Sequence, residues 1–327
     1  MTKKEYFPYE ENARAFREDL LESRVEAVNL LRKKASKREW ARHTEQLIHL
    51  LFLLLGLITV GCVLLITVYL VISGIPAIRK IGLADFLFGT EWASTAAEAK
   101  YGILPFILTS IYGTAGAIVI GVPVGFMTAV YLSKLASPRV KSAVQAAVSL
   151  LAGIPSVVYG LVGMLVLVPG IRKVFGVPDG ASLLAAIIVL AVMILPSIIK
   201  MSITALDAVP KEYEDASLAL GATPVETYFR VSVPAAKSGI AASVVLGVGR
   251  AIGEAMAVMM VAGNVANMPD SLFQSVRFLT TAVASEMAYS GPGSLQRQAL
   301  FSIALVLFLF IMLINATLNF FLKREKE

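Results

Sequence analysis

The 327-residue sequence predicts an all-α integral membrane protein with six transmembrane helices, and three observations carry that prediction. Hydrophobic residues make up 57% of the chain and charged residues only 16%, a balance far from that of soluble domains. Six stretches are long and apolar enough to cross hydrocarbon roughly 30 Å thick, which takes about 20 residues of helix. The spans fall near 47–75, 103–132, 143–169, 181–206, 238–263 and 299–322. Lys and Arg are also shared unequally between alternate connections. Residues 1–46, 133–142, 200–237 and 323–327 hold 21 of the 29 basic residues, the opposite set (76–102, 170–180, 264–298) holds seven, and Arg250 lies inside a span. Cytoplasmic flanks carry the excess, so both termini are expected in the cytoplasm. The net charge of +6 then reflects topology and contact with anionic membrane lipid, and no nucleic-acid partner is expected.

The amino-terminal segment 1–46 is charged. From Glu10 to His43 it lacks Gly and Pro, and Ala13, Phe16, Leu20, Val25, Val28 and Leu31 recur near helical spacing. This predicts a cytoplasmic amphipathic helix that lies on the membrane or the bundle, or docks a partner. The first span follows these charges and is too long for a signal-peptide core, so it reads as an uncleaved anchor. Cys62 is the single cysteine, which leaves no intrachain disulfide or thiolate metal cluster to build. His43 and His49 stand six residues apart, roughly 240° around a helix, and form no shared metal face.

The second span carries Gly113, Gly116, Gly121, Pro123 and Gly125, and the third opens AGIPSVVYGLVG with Gly153, Pro155, Gly160 and Gly163. Small residues and proline in a membrane helix serve either close packing or a bend around a path, and both readings stand at this stage.

The connection from Leu206 to Ser238 holds structure of its own. Pro210 can open a helix, Glu212, Glu214 and Asp215 fall where the helix dipole favours anions, and Gly221 supplies a stop. Thr223 and Glu226 have capping-box spacing, with Pro224 at the first helical position. Two short helices around a glycine turn make a knob whose apolar residues (Ala216, Leu218, Leu220, Val225, Tyr228, Phe229) need a surface to cover them.

The fifth span contains GVGRAIGEAMAVMMVAG, an apolar run with Arg250 and Glu254 near its centre. An arginine at a helix centre costs about 2.5 to 3.5 kcal/mol on insertion scales, so something offsets it. On a continuous helix the spacing of four stacks Arg250 and Glu254 on one face, where they can pair. Gly249 and Gly253, with Ala257, then form a small-residue stripe beside them. Arg250 lies eleven residues beyond Gly239, roughly 16 Å and close to the bilayer midplane. A guanidinium is a planar double donor that stays charged, which suits a transient oxyanion station. The alternative is a self-neutralising pair that only pins the helix. No GxxxxGK[ST] stretch is present, so ATP hydrolysis by this chain is not expected.

The stretch DASLALGATPVETYFRVSVP resembles the EAA motif of ABC-importer permeases: E-A-A, three residues, G, nine residues, I-x-L-P. Asp215, Ala216 and Ser217 stand in the first three places, Gly221 at the glycine, and Val231, Val233 and Pro234 at the end. With GIPSVVYGL and RAIGEAMAVMMVAGN, residues 50–322 resemble the permeases of the phosphate-specific importer, more its C-type than its A-type subunit.

The resemblance implies the type I ABC-importer permease fold over 47–322, with a coupling loop at 207–237 between a charged segment 1–46 and a basic tail 323–327. It implies a non-enzymatic inner-membrane transport subunit without a cofactor of its own, ATP and magnesium being bound by an ATPase dimer. It further implies an A-type second permease and an extracytoplasmic phosphate-binding protein as partners. Glu214, Asp215, Ala216, Ser217, Gly221 and Pro234 are then the ATPase-coupling residues, Arg250 and Glu254 the translocation path, and Gly153, Pro155, Gly249 and Gly253 its packing or bending points. Other oxyanions such as sulfate or molybdate, and a secondary transporter or channel, remain alternative readings. A membrane-embedded hydrolase lacks a nucleophile and base within the spans.

Overall fold

The computed structural model describes the backbone of residues 8–324 and the side chains of 45–317 and Phe320. The amphipathic face expected over 10–43 and the basic tail at 323–327 lie outside the described side chains. Contacts divide the chain into two units, 1–67 and 68–327.

Helix α1 runs Pro8–Ile81. In its first-unit part, Leu47, Phe52, Leu57 and Leu65 are more than half exposed, an apolar surface suited to lipid. In the second unit, the Ser302 hydroxyl donates to the Gly74 carbonyl at 2.6 Å, and Tyr69 meets Phe301 edge to face.

A short helix α2 (Leu83–Phe88) and a two-stranded antiparallel ribbon, β1 (Trp92–Ala93) with β2 (Lys100–Tyr101), precede α3 (Leu104–Val130). Helix α3 continues through a π-helical turn at Tyr131–Leu135. Then come α4 (Pro138–Gly153), α5 (Ser156–Val162), a second π-helical turn at Gly163–Leu167, and α6 (Val168–Phe175). The most buried helix is α7 (Leu183–Asp207), opened by Ser182, whose hydroxyl accepts from the Ala185 amide.

Close packing decides the reading of the second-span glycines. A Cβ at Gly116 would sit 2.7 Å from Ile187, one at Gly121 2.8 Å from Ile194, and one at Gly125 2.9 Å from Ile198. The glycine row of α3 is the groove that receives the isoleucine row of α7.

The connection after α7 folds as α8 (Lys211–Ala219), α9 (Pro224–Thr227), a π-helical turn at Tyr228–Ser232 and α10 (Val233–Ala235). It joins α11 (Lys237–Gly253) at a bend of 71°. Next are α12 (Met256–Val261), α13 (Leu279–Glu286) and α14 (Leu295–Arg324). Among the described residues five helices are long and apolar enough to cross a membrane, and the bent pair ending at Gly253 makes a sixth.

Two expected spans are not continuous. The third, expected over 143–169, leaves helical geometry at Ile154 and Pro155, because proline lacks an N–H and pushes its preceding residue into extended backbone. The fifth, expected over 238–263, stops at Gly253, and Glu254 is extended at φ −75°, ψ 127°. The pieces that follow the two breaks pack together: a Cβ on Gly160 would lie 2.9 Å from the Ala257 Cα, and one on Gly163 2.7 Å from Val261.

Candidate functional site

The break at Glu254 changes the geometry expected of the two intramembrane charges. Extended backbone at Glu254 removes the one-turn stacking on Arg250, and the stripe Gly249, Gly253, Ala257 is no longer one helix face. A Cβ on Gly249, Gly253 or Gly153 would meet nothing within 4 Å, so these glycines face open space within the subunit: the close approach expected at Gly249 and Gly253 is absent there, and at Gly153, where packing and bending were both open, no neighbour packs. Ala257 is instead buried against Gly160 on α5.

Each charge has its own partner. The Arg250 Nη1 donates to the Ser197 hydroxyl on α7 at 3.2 Å, and no described carboxylate forms an ion pair with it. The Glu254 Oε1 accepts from the Ala257 amide at 2.9 Å, three residues on, as a capping carboxylate does at a helix start. Its backbone carbonyl accepts from the Thr280 hydroxyl at 2.8 Å. The carboxylate therefore answers the positive end of α12, and the guanidinium is left half-buried with a neutral partner.

The connection 207–237 forms the expected knob. Gly221 is left-handed at φ 89° and its amide reaches back to the Leu218 carbonyl, closing α8. Thr223 and Glu226 make both bonds of a capping box. Asp215, Ala216 and Pro234 are exposed, while the Ser217 hydroxyl bonds to that of Thr227 at 2.9 Å. Leu220 is 91% exposed, and Leu218, Val225, Phe229 and Tyr213 join it in an uncovered apolar surface.

Glu214 does not share that surface. It turns inward to an ion pair with Lys134 in the turn that ends α3 and accepts from the Ser232 hydroxyl at 2.8 Å. Burial acts to raise its pKa, but hydrogen bonds from Lys134 and Ser232 and the charges of Lys134 and Lys211 outweigh it and hold the carboxyl below its ordinary value. Its stabilising contribution is therefore complete above the unfolded-state pKa and is lost as pH falls through the lower folded value. Glu214→Ala, which strands Lys134, is expected to cost about 3 kcal/mol and lower the melting temperature of the detergent-solubilised chain at pH 7. The difference from wild type shrinks below about pH 4 as the wild-type carboxyl protonates, and a difference unchanged from pH 7 to pH 3 counts against the strut. Beside it, Asp207 accepts from Ser133 and from Lys141, the latter at 3.1 Å, and ties α7 to α4.

One cluster has no counterpart in the sequence reading. Glu286 on α13 accepts from the Trp92 indole at 3.0 Å, Ser94 at 3.0 Å, Gln296 at 3.2 Å and the Arg277 guanidinium. Arg277 also donates to the Asn264 carbonyl at 2.9 Å and stands over the Phe106 ring. This knot fastens the ribbon, α13 and α14 to one another. Asn264, at φ 61°, follows Gly263, itself at φ 83°, where a Cβ would lie 2.5 Å from the Ser275 hydroxyl. That conformation accounts for the Gly-Asn pair closing AVMMVAGN.

Comparison with known proteins places this geometry. Residues 121–326 match the family model described as a binding-protein-dependent transport system inner membrane component. The chain is 41% identical over 266 residues to the probable ABC transporter permease protein YqgH of Bacillus subtilis, covering 80% of this chain and 86% of that one. It is 36% identical to the phosphate transport system permease protein PstC of Haemophilus influenzae, covering 79% and 85%. A solved structure of the MetNI methionine ABC transporter in inward-facing conformations superimposes with a TM-score of 0.51 at 22% identity, covering 68% of this chain and 94% of that one, which speaks for the fold alone. These matches set aside the channel, secondary-transporter and hydrolase readings. The chain belongs to the binding-protein-dependent transport system inner membrane components, as a multi-pass ABC-transporter permease of the PstC-like group.

Proposed function

We propose that this chain is the C-type translocating subunit of an ATP-driven importer of inorganic phosphate, with Arg250 as the oxyanion's station in the membrane. The observation that carries the reading is a guanidinium within an apolar bundle whose hydrogen-bond partner is one serine hydroxyl and which has no described carboxylate to neutralise it. Intramembrane charge of this kind marks a path by default, and a guanidinium offers phosphate two parallel donors. The PstC name of several relatives favours phosphate among the oxyanions.

Glu254 repels an anion unless it is engaged elsewhere, and its bond to the Ala257 amide is such an engagement. In our reading Arg250 and Glu254 pair in a second conformation and phosphate replaces the carboxylate on Arg250. The 207–237 knob seats a separate ATPase, which supplies the ATP and magnesium chemistry. An A-type permease completes the pathway, and a binding protein delivers phosphate to the face opposite the termini, which the basic-residue bias puts in the cytoplasm.

The test is ATP hydrolysis by the complex of both permeases, the ATPase and the binding protein, reconstituted in lipid. Phosphate is expected to stimulate hydrolysis while sulfate and molybdate leave it at the basal rate. Stimulation by either of the other oxyanions in preference to phosphate would assign the importer to that ion.

A further inference from the structure

Lys200 belongs to the sequence's cytoplasmic count of basic residues, yet it lies inside α7, seven residues and about 10 Å before the helix ends at Asp207. Ser197, which holds Arg250, stands one turn deeper, and Thr204 one turn nearer the end. Steps of three and four put Ser197, Lys200 and Thr204 on one face of α7, apart from Ser202, which bonds to Ser243 on α11. Across from them on α4, Gln145 and Ser149 are four apart and share a face as well.

Lys200, Thr204, Gln145 and Ser149 line a cavity of about 300 Å³ between α4 and α7, floored by Val148 and Ile203. Its lining holds an ammonium, two hydroxyls and an amide, and no carboxylate. The nearest acidic group along α7, Asp207, is already engaged by Lys141 and Ser133. Lys200 has no described ion-pair partner and, like Ser149 and Thr204, is exposed, so the groove presents its ammonium on an open side, about one helical turn in level from half-buried Arg250 beside the same helix. A fixed carboxylate would neutralise such a cation at less cost than leaving it bare; its absence suits an anion that comes and goes.

We propose that this cavity is a second oxyanion site, with Lys200 as its cation and Gln145 and Ser149 as neutral donors, receiving the anion that leaves Arg250; the Thr204 hydroxyl lies at its edge and donates to the Lys200 carbonyl at 3.0 Å. This rests on the phosphate-importer reading for the direction of travel but not for the site's chemistry. The same chemistry fits a lipid headgroup phosphate, because a lysine can extend its stem toward the interface.

The first measurement needs no transport. Thr204→Cys, in a Cys62→Ser background, is labelled in the assembled complex with anionic and cationic thiol reagents of equal size. The anionic reagent is expected to react about tenfold faster, and Lys200→Gln to abolish that preference. Equal rates with Lys200 present would overturn the site. Inorganic phosphate is expected to slow labelling in vesicles of phosphatidylcholine alone. Protection that requires anionic lipid, with none from phosphate, assigns the cavity to headgroups and defeats the waystation.

The second measurement is uptake per assembled complex. Lys200→Gln is expected to lower it about tenfold while Lys200→Arg restores most of it. Uptake by Lys200→Gln equal to wild type removes Lys200 from the path. Should the complex carry a different oxyanion, the phosphate reading fails alone: the labelling preference persists, and the dependence on Lys200 transfers to that ion.

Discussion

Arg250→Lys is expected to reduce phosphate uptake about 30- to 100-fold per assembled complex, and Arg250→Ala at least as much, while the amount of assembled complex changes little. The size follows from losing one or two hydrogen bonds between charged groups, about 2 to 3 kcal/mol where each 1.4 kcal/mol is tenfold. Lysine keeps the charge but loses the planar double donor, so a large defect in Arg250→Lys separates geometry from mere electrostatics. Assembly is spared because Arg250 gives up a single bond to Ser197 and orphans no carboxylate. Radiolabelled phosphate entering at the wild-type rate through either variant would remove Arg250 from the path. A collapse of subunit yield in both would return it to the role of a folding contact.

Leu220→Asp is expected to uncouple the permease from its ATPase. Leu220 caps α8 next to the left-handed Gly221 and is 91% exposed, so the substitution costs the subunit no packing of its own. In the assembly, a charge placed in a desolvated apolar seat costs several kcal/mol, enough to weaken the partner's binding by about 100-fold or more. The variant is expected to reach the membrane at normal levels, to lose the ATPase on copurification and to take up no phosphate. Full retention of the ATPase by Leu220→Asp would place the seat elsewhere on the knob.

The knob was legible in the sequence because its signals are local. Proline at 210, glycine at 221 and the Thr223 to Glu226 box each act within four residues, and each performs in the structure the backbone role its chemistry suggests. Hydropathy placed α3, α7 and α14 for the same reason, since burial in lipid is read from composition. Hydropathy drew the spans through Ile154 and Glu254 without a break because averaging over about 20 residues is blind to a two-residue change of backbone, although a bend near Gly153 and Pro155 was one of the readings open for the third span. The first left a readable trace, the residue before a proline. The second depends on Glu254 preferring the amide of Ala257 to the side chain one turn below, which spacing alone does not decide. The Trp92 to Glu286 knot joins residues 194 apart and has no local signature. Lys200 was hidden by its place near a span's end, where a lysine usually reaches for water.

Glycine does opposite things in the two halves of the broken spans. At Gly160 and Gly163 it presses α5 and α12 together with no space for a methyl group, while at Gly153 and Gly253 it stands in the open beside extended backbone. The pieces after the two breaks are thus packed against each other and joined to the helices before them through extended backbone. The paired pieces also share one core with α7 through Val189, Val258 and Val261, and the Glu254 carboxylate stays with them by capping the Ala257 amide, so the two breaks lead into one common packed body.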